Sequence, residues 1–295
     1  QVGVQGVAIA ERAFQQALAF AQERRQGRAV WSADYPAEIY GHPDVRRMLL
    51  LMKAKTEAAR GICLTTGVLT DLARLAETPE ERAAALARQE LLTPIAKAWS
   101  TDVGVEVASL GVQVHGGMGF IEETGAAQYY RDAKILTIYE GTTAIQANDL
   151  VGRKTARDGG QLARGVAGQV EVTEAALAKR DSAAAGAVLK ALRASREDFL
   201  AVVDFIAAQA KANPNAAYAG SVPYLMLAGN LVTGWQLARA LMAAEDALAT
   251  DRDFMQAKIA TARFYAEHIL PRTGALRAAI VDGADSGTAL PLDAF

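Results

Sequence analysis

The side chains best placed to do chemistry lie between Gln113 and Gln146, in QVHGGMGFIEETGAAQYYRDAKILTIYEGTTAIQ. Glu140 is central. It follows the apolar Ile135, Leu136, Ile138 and Tyr139 and precedes Gly141, Thr142 and Thr143, where a threonine oxygen can cap the first amides of a new helix. Two roles are open to a carboxylate so placed. As a surface acid it gains a few tenths of a kcal/mol from the helix dipole. Alternatively, apolar neighbours desolvate it and make it a general base. Dipole and burial act in opposite directions, and the local sequence leaves both readings open.

Upstream, Gly116, Gly117 and Gly119 form a turn whose bare backbone could approach a phosphate or ribose, or could simply join two helices. His115 in that turn reads as a packing or hydrogen-bonding residue. His42 and His268 are far from it in sequence, so no histidine metal cluster is expected and no metal is assigned. The single cysteine, Cys63, excludes an intrachain disulfide, fits a reducing compartment and reads as a buried structural thiol. Arg131-Asp132 reads as a structural ion pair, and Tyr139 as a core aromatic able to pack against a ligand.

The elements that must position these residues are helical. Val4–Gln26 places Val4, Val7, Ala8, Phe14, Leu18 and Ala21 on one stripe. A loop with Gly27, Trp31, Pro36, Gly41 and Pro43 follows. The next helix runs from Asp44 to about Glu77, with Val45, Met48, Leu49, Met52, Ala59, Cys63 and Leu64 on its apolar side. Thr78-Pro79-Glu80-Glu81 combines an N-cap, a first-position proline and a capping-box glutamate, and starts a third helix reaching about Gln113. Shorter helices are expected over 125–133 and 141–153. Asp158-Gly159-Gly160 is the boundary candidate, and helical patterns return over 161–179, 182–212, 222–249, 251–269 and 273–281. Period-two alternation is nearly absent. The spacing therefore predicts an all-α protein: an antiparallel helical bundle over 1–157 and a second helical domain over 158–295.

A chain of 295 residues, 51% hydrophobic and 22% charged, can bury a sizeable core in one or two domains. A formal net charge of -2 gives no case for nucleic acid or an anionic membrane. No signal peptide and no apolar stretch of transmembrane length is read. The chain opens without Met inside a helical pattern, which is read as a portion of a longer protein whose N-terminal part is absent.

IYEGTTAIQ, QVHGGMGF and YYRDAKIL, in this order and spacing, resemble the C-terminal signature of the acyl-CoA dehydrogenase family, and the flanking helices extend the resemblance to roughly Val2–Arg157. VPYLMLAGNLVTGWQLARA and KIATARFYAEHILP resemble the extra C-terminal helical domain of a subset of that family, including methylmercaptopropionyl-CoA dehydrogenases. The resemblance implies a cytoplasmic flavoenzyme that binds FAD, oxidises an acyl-CoA substrate and passes electrons to electron-transfer flavoprotein. It implies a homodimer or homotetramer. It makes Glu140 the base for the alpha proton and its N–H a donor to the thioester oxygen.

The same resemblance assigns Gln113, Gly116 and Gly117 to the adenine and pyrophosphate end of FAD, commonly on a neighbouring subunit, and Thr142 to the flavin or its nucleotide. The family's Arg-x-x-Phe-Gly stands here as Arg24-Arg25-Gln26-Gly27-Arg28, so Arg24 is the first candidate for the diphosphate and Arg28 the second. Ala144 replaces a family glutamine. His42 aligns with a family His-Gln pair but is followed by Pro43. An acyl-CoA oxidase is the nearest alternative, and a non-catalytic helical oligomerisation scaffold is another. With the remainder of the family fold outside these residues, the chain alone is expected to be inactive and colourless.

Overall fold

Helix starts that depend on a few adjacent residues form where the sequence puts them. The Thr78 amide donates to Glu81 Oε2 at 3.1 Å and the Glu81 amide to Thr78 Oγ1 at 3.2 Å, a reciprocal capping box. The Ser182, Asn213 and Asp251 side chains accept from the amides of Ala185, Ala216 and Phe254 in the same way. The computed structural model describes residues 1–30, 33 and 35–294, so Trp31 of the expected loop lies outside the described residues. Its helices are α1 (Val2–Glu23), α2 (Pro43–Leu75), α3 (Pro79–His115), α4 (Gly117–Phe120), α5 (Ala126–Leu136) and α6 (Thr143–Val151). A π-helical turn (Gly152–Ala156) leads to α7 (Gln161–Leu177), α8 (Ala183–Ala212), α9 (Pro214–Ala219), α10 (Ser221–Asp246), α11 (Arg252–His268) and α12 (Arg272–Val281). Among the described residues no strand forms; Arg25 and Glu38 make one isolated bridge. No helix among them is long and apolar enough to cross a membrane.

The chain folds into two compact units, 1–60 with 100–140, and 61–99 with 141–295. In the first, side-chain pairs fix the direction of every helix. Met52 and Lys55 of α2 meet Gly111 and Glu106 of α3, so these two run antiparallel. Gln5, Arg12 and Gln16 of α1 meet Tyr139, Tyr129 and the Thr124 carbonyl, so the α5 segment runs against α1. Gly6, Ala13 and Phe20 of α1 meet Ser100, Gly111 and His115, so α1 and α3 are parallel. The result is an up-down-up-down bundle.

The buried seam of α1 differs from the expected stripe. Gly3, Gly6, Ala10, Ala13, Ala17 and Ala21 are buried, while Val4 and Ala8 are exposed. Close approach of α3 decides this, because a Cβ on Gly6 would sit 2.5 Å from the Ser100 carbonyl oxygen. Small residues win the interface where backbones nearly touch.

In the second unit α10 is the central helix, buried over most of its length and packed by α6, α8, α11 and α12, with Arg239, Ala243 and Asp246 exposed. Gly229 of α10 leaves room for Trp99, whose indole N–H donates to Asn230 Oδ1 at 3.0 Å. Glu174 is buried and held by both Arg196 donors, at 2.7 and 3.0 Å. Cys63 is only half-buried and Leu64 is exposed, correcting their placement on the buried side of α2. The Asp158-Gly159-Gly160 turn caps α7: Asp158 accepts from the Gly160 and Leu162 amides at 2.9 Å each.

Candidate active site

Glu140 is the one non-glycine among the described residues with positive φ, at +50°. The left-handed region costs an L-residue roughly 1–2 kcal/mol. The flanking chain holds the residue there. The Tyr139 hydroxyl donates to Gln5 Oε1 on α1. Gly141, at φ +91°, has its carbonyl fixed by the buried Lys97 ammonium at 2.7 Å. Thr142 then caps α6, accepting from the Ile145 amide at 3.3 Å. Lys97 escaped the sequence reading, although a lysine inside the apolar run Ile95-Ala96-Lys97-Ala98-Trp99 was the available signal.

The Glu140 side chain is exposed in this chain, as are Ile135 and Ile138. These 295 residues do not bury it, so the apolar neighbours expected to desolvate it do not do so by themselves. Met118, Phe120, Ile121 and Tyr130 are also exposed, so the signature segment leaves several large apolar side chains in solvent. Tyr139 is half-buried.

Gln113, Gly116 and Gly117 stand at the other end of α1. Phe20 in its last turn stacks on His115, with centroids 4.4 Å apart, and the His115 ring Nδ1 lies 2.7 Å from the Gly111 carbonyl oxygen. His115 is thus a packing residue. Arg24, four residues beyond Phe20, ends α1 as its extended C-cap residue. Gln5 and Phe20 lie fifteen residues apart on α1, so the Tyr139–Glu140 corner and the glycine turn are separated by about 20 Å. Within the first unit His115, beside the glycine turn, lies against the last turn of α1, and Tyr139, beside Glu140, lies against its first turns.

A diphosphate-bearing cofactor fits the glycine end. Gln113, Gly116 and Gly117 are exposed, and a Cβ on either glycine would meet nothing within 4 Å. Only the φ of +59° favours glycine at 116, and internal packing does not demand it at 117. The bare backbone is open to a phosphate or ribose from outside. Arg24 donates to Gln26 Oε1 at 3.1 Å, and Arg28 lies over the Tyr35 ring at 5.8 Å. Neither pairs with a carboxylate among the described residues, whereas Arg25 between them is engaged by Glu38 at 2.7 Å. His42 Nε2 lies 2.8 Å from the Gln26 carbonyl oxygen and holds its own loop. Arg131 forms its ion pair with Glu122 at 3.1 Å rather than with Asp132, since adjacent residues on a helix point apart.

Residues 1–154 match the family model described as acyl-CoA dehydrogenase, C-terminal domain, and residues 166–291 match that described as acetyl-CoA dehydrogenase C-terminal like. The chain is 55% identical to 3-methylmercaptopropionyl-CoA dehydrogenase of Ruegeria pomeroyi over 97% of its own length and 49% of that protein. It is 36% identical to a broad-specificity linear acyl-CoA dehydrogenase of Mycobacterium tuberculosis, over 92% of the chain and 46% of that protein. A Bacillus anthracis acyl-CoA dehydrogenase crystallised with FAD superposes with a TM-score of 0.72 at 20% identity, covering 96% of this chain and 48% of that one. The chain spans about half the length of the curated relatives it matches.

Proposed function

Because the chain belongs to the acyl-CoA dehydrogenase family, as its C-terminal portion, we propose that it supplies the base and part of the flavin site of an enzyme that desaturates an acyl-CoA thioester. The observation that carries this reading is the left-handed backbone of Glu140. Strain retained at a single carboxylate is the pattern expected when geometry serves a reaction.

Glu140 takes the alpha proton, and its backbone N–H donates to the thioester oxygen, where charge develops as the proton leaves. The electron pair of the alpha C–H bond becomes the alpha–beta double bond. Bound FAD supplies the acceptor for the hydride leaving the beta carbon. Gln113, Gly116 and Gly117 hold its adenine and pyrophosphate end, Arg24 and then Arg28 its diphosphate, and Thr142 the flavin side. A homodimer or homotetramer in which one copy's glycine end serves its neighbour's flavin is the proposed assembly, as the family resemblance implies.

The division into a bundle over 1–157 and an extra helical domain over 158–295 is supported by the extents of the two family matches, 1–154 and 166–291. Electron-transfer flavoprotein is the proposed electron acceptor and the cytoplasm the proposed compartment. The 55% identity makes 3-methylmercaptopropionyl-CoA the first substrate to try.

The test uses the enzyme at the full length of its relatives, loaded with FAD and mixed with that thioester without oxygen. Bleaching of the oxidised flavin band with formation of the 2-enoyl thioester is expected. No bleaching with this substrate or with linear acyl-CoAs of graded length would remove the assignment. Stoichiometric peroxide in air, without an added acceptor, would transfer it to an acyl-CoA oxidase.

A further inference from the structure

In the second unit, a groove of about 670 Å³ runs between the C-terminal half of α2, the start of α3, and α7 and α10. One wall is an apolar stripe: Leu64, Val68 and Leu72 are 65%, 56% and 44% exposed, one helical turn apart. Three such positions extend about 12 Å along the helix. Aliphatic side chains repeated on one line, lining a concave surface and left in solvent, mark a binding surface more often than scattered exposed residues do.

Polar groups converge on the same groove. Arg88 of α3 and Arg239 of α10 both line it. Arg88 bonds only the Ala84 carbonyl of its own helix, at 3.3 Å. Arg239 lies over the Trp235 ring at 5.8 Å and donates to Gln236 Oε1 at 2.9 Å. Neither guanidinium pairs with a carboxylate among the described residues, and among those residues they are the two arginines that line the groove. Gln236 lines the groove as well, and its amide nitrogen is buried without an acceptor. A buried donor left unmatched is costly unless something completes it.

We propose that this groove binds the carboxylate of a medium-chain aliphatic acid. The chain lies along Leu64, Val68 and Leu72. The carboxylate sits between Arg88 and Arg239 and accepts from the Gln236 amide. A cationic or neutral amphiphile would leave both guanidiniums unmatched, and a short acid would leave the stripe wet. The argument is independent of the Glu140 chemistry and stands or falls without it.

The test titrates the 295-residue chain with decanoate below its micelle concentration. Trp235 fluorescence reports occupancy, and the Gln236 side-chain amide resonance reports the polar contact. Saturable binding is expected with decanoate, at least tenfold weaker with decanol and undetectable with acetate. R88Q/R239Q should weaken decanoate binding at least about tenfold, since charge-assisted bonds to a carboxylate are the strong ones. V68D should abolish it, while circular dichroism verifies that both variants fold. Equal affinity for decanol and decanoate, or unchanged binding in R88Q/R239Q, would overturn the proposal. So would failure of decanoate to bind a chain that self-associates in a Val68-dependent way, which would make the groove an interface between copies.

Discussion

Replacing Glu140 by residues that tolerate a left-handed backbone separates a strained functional group from a structural one. At φ +50° the glutamate carries roughly 1–2 kcal/mol of backbone strain. Glycine removes that strain but costs about 0.5–1 kcal/mol through the freedom it returns to the unfolded chain. E140G should therefore be between neutral and about 1.5 kcal/mol more stable than the parent, by the difference of those two terms. Asparagine, which visits this region more readily, should gain a similar amount without the entropic loss. E140Q keeps both the backbone preference and the shape, and should stay within about 0.5 kcal/mol. For a chain this long, 1 kcal/mol corresponds to a shift of about 2 °C in Tm. Calorimetry on the purified chain should place E140N and E140G at or slightly above the parent. A fall of more than about 3 °C in both, beyond the noise of a neutral surface change, would mean that the glutamate holds the fold together, and the strain argument for function would fail.

Other parts of the structure give sharper signs. G229A should lower stability by about 1–3 kcal/mol, because a Cβ there would lie 2.1 Å from Trp99 Cδ1; a calorimetric scan checks the loss and Trp99 emission reports the repacking. T78A and E81A should each cost about 1 kcal/mol and act less than additively, as partners in one capping box; amide exchange in the first turn of α3 is the readout. The Arg180 guanidinium holds the Asp246 carboxyl below the usual carboxylate range. Its contribution is therefore complete above the unfolded carboxyl's pKa of about 4 and is lost as the pH falls through the lower folded value. Melting curves of the parent and D246N should differ slightly at neutral pH and converge in acid.

The sequence made legible those features that adjacent residues determine. Thr78 and Thr142 cap the helices they precede as read, because a side-chain oxygen and an orphan amide three residues on need nothing else, whereas Asn213 opens the short α9 where only a break between helices was expected. The order of helices followed from apolar periodicity for the same reason. What remained hidden depends on partners far along the chain. Periodicity placed Val7 and Ala21 of α1 correctly but put the exposed Val4 and Ala8 on the seam and missed Gly6, since nothing near Gly6 announces that the Ser100 backbone will press against it. Trp99 and Gly229 meet although they stand 130 positions apart in the sequence, a pairing of which local pattern says nothing. Cys63 and Leu64 read as core because α2 is apolar there, yet that face lines an open groove.

At the site, residue types were legible and geometry was not. The glutamate, the glycine turn and the arginines could be named, and the arginine sorting required the Arg25–Glu38 pair to be seen. The left-handed turn at Glu140 had no local signature, and the lysine on the Gly141 carbonyl had only the apolar run around it, which does not name its partner 44 positions away.

The direct test of the central claim is alpha-proton removal by the full-length, FAD-loaded enzyme with Glu140→Gln against the parent, followed as dehydrogenation and as exchange of the substrate's alpha hydrogen in deuterated water. Loss of a positioned base should slow both by about a hundredfold to ten-thousandfold while flavin content and Tm hold. Unchanged dehydrogenation in the Gln variant would contradict the account.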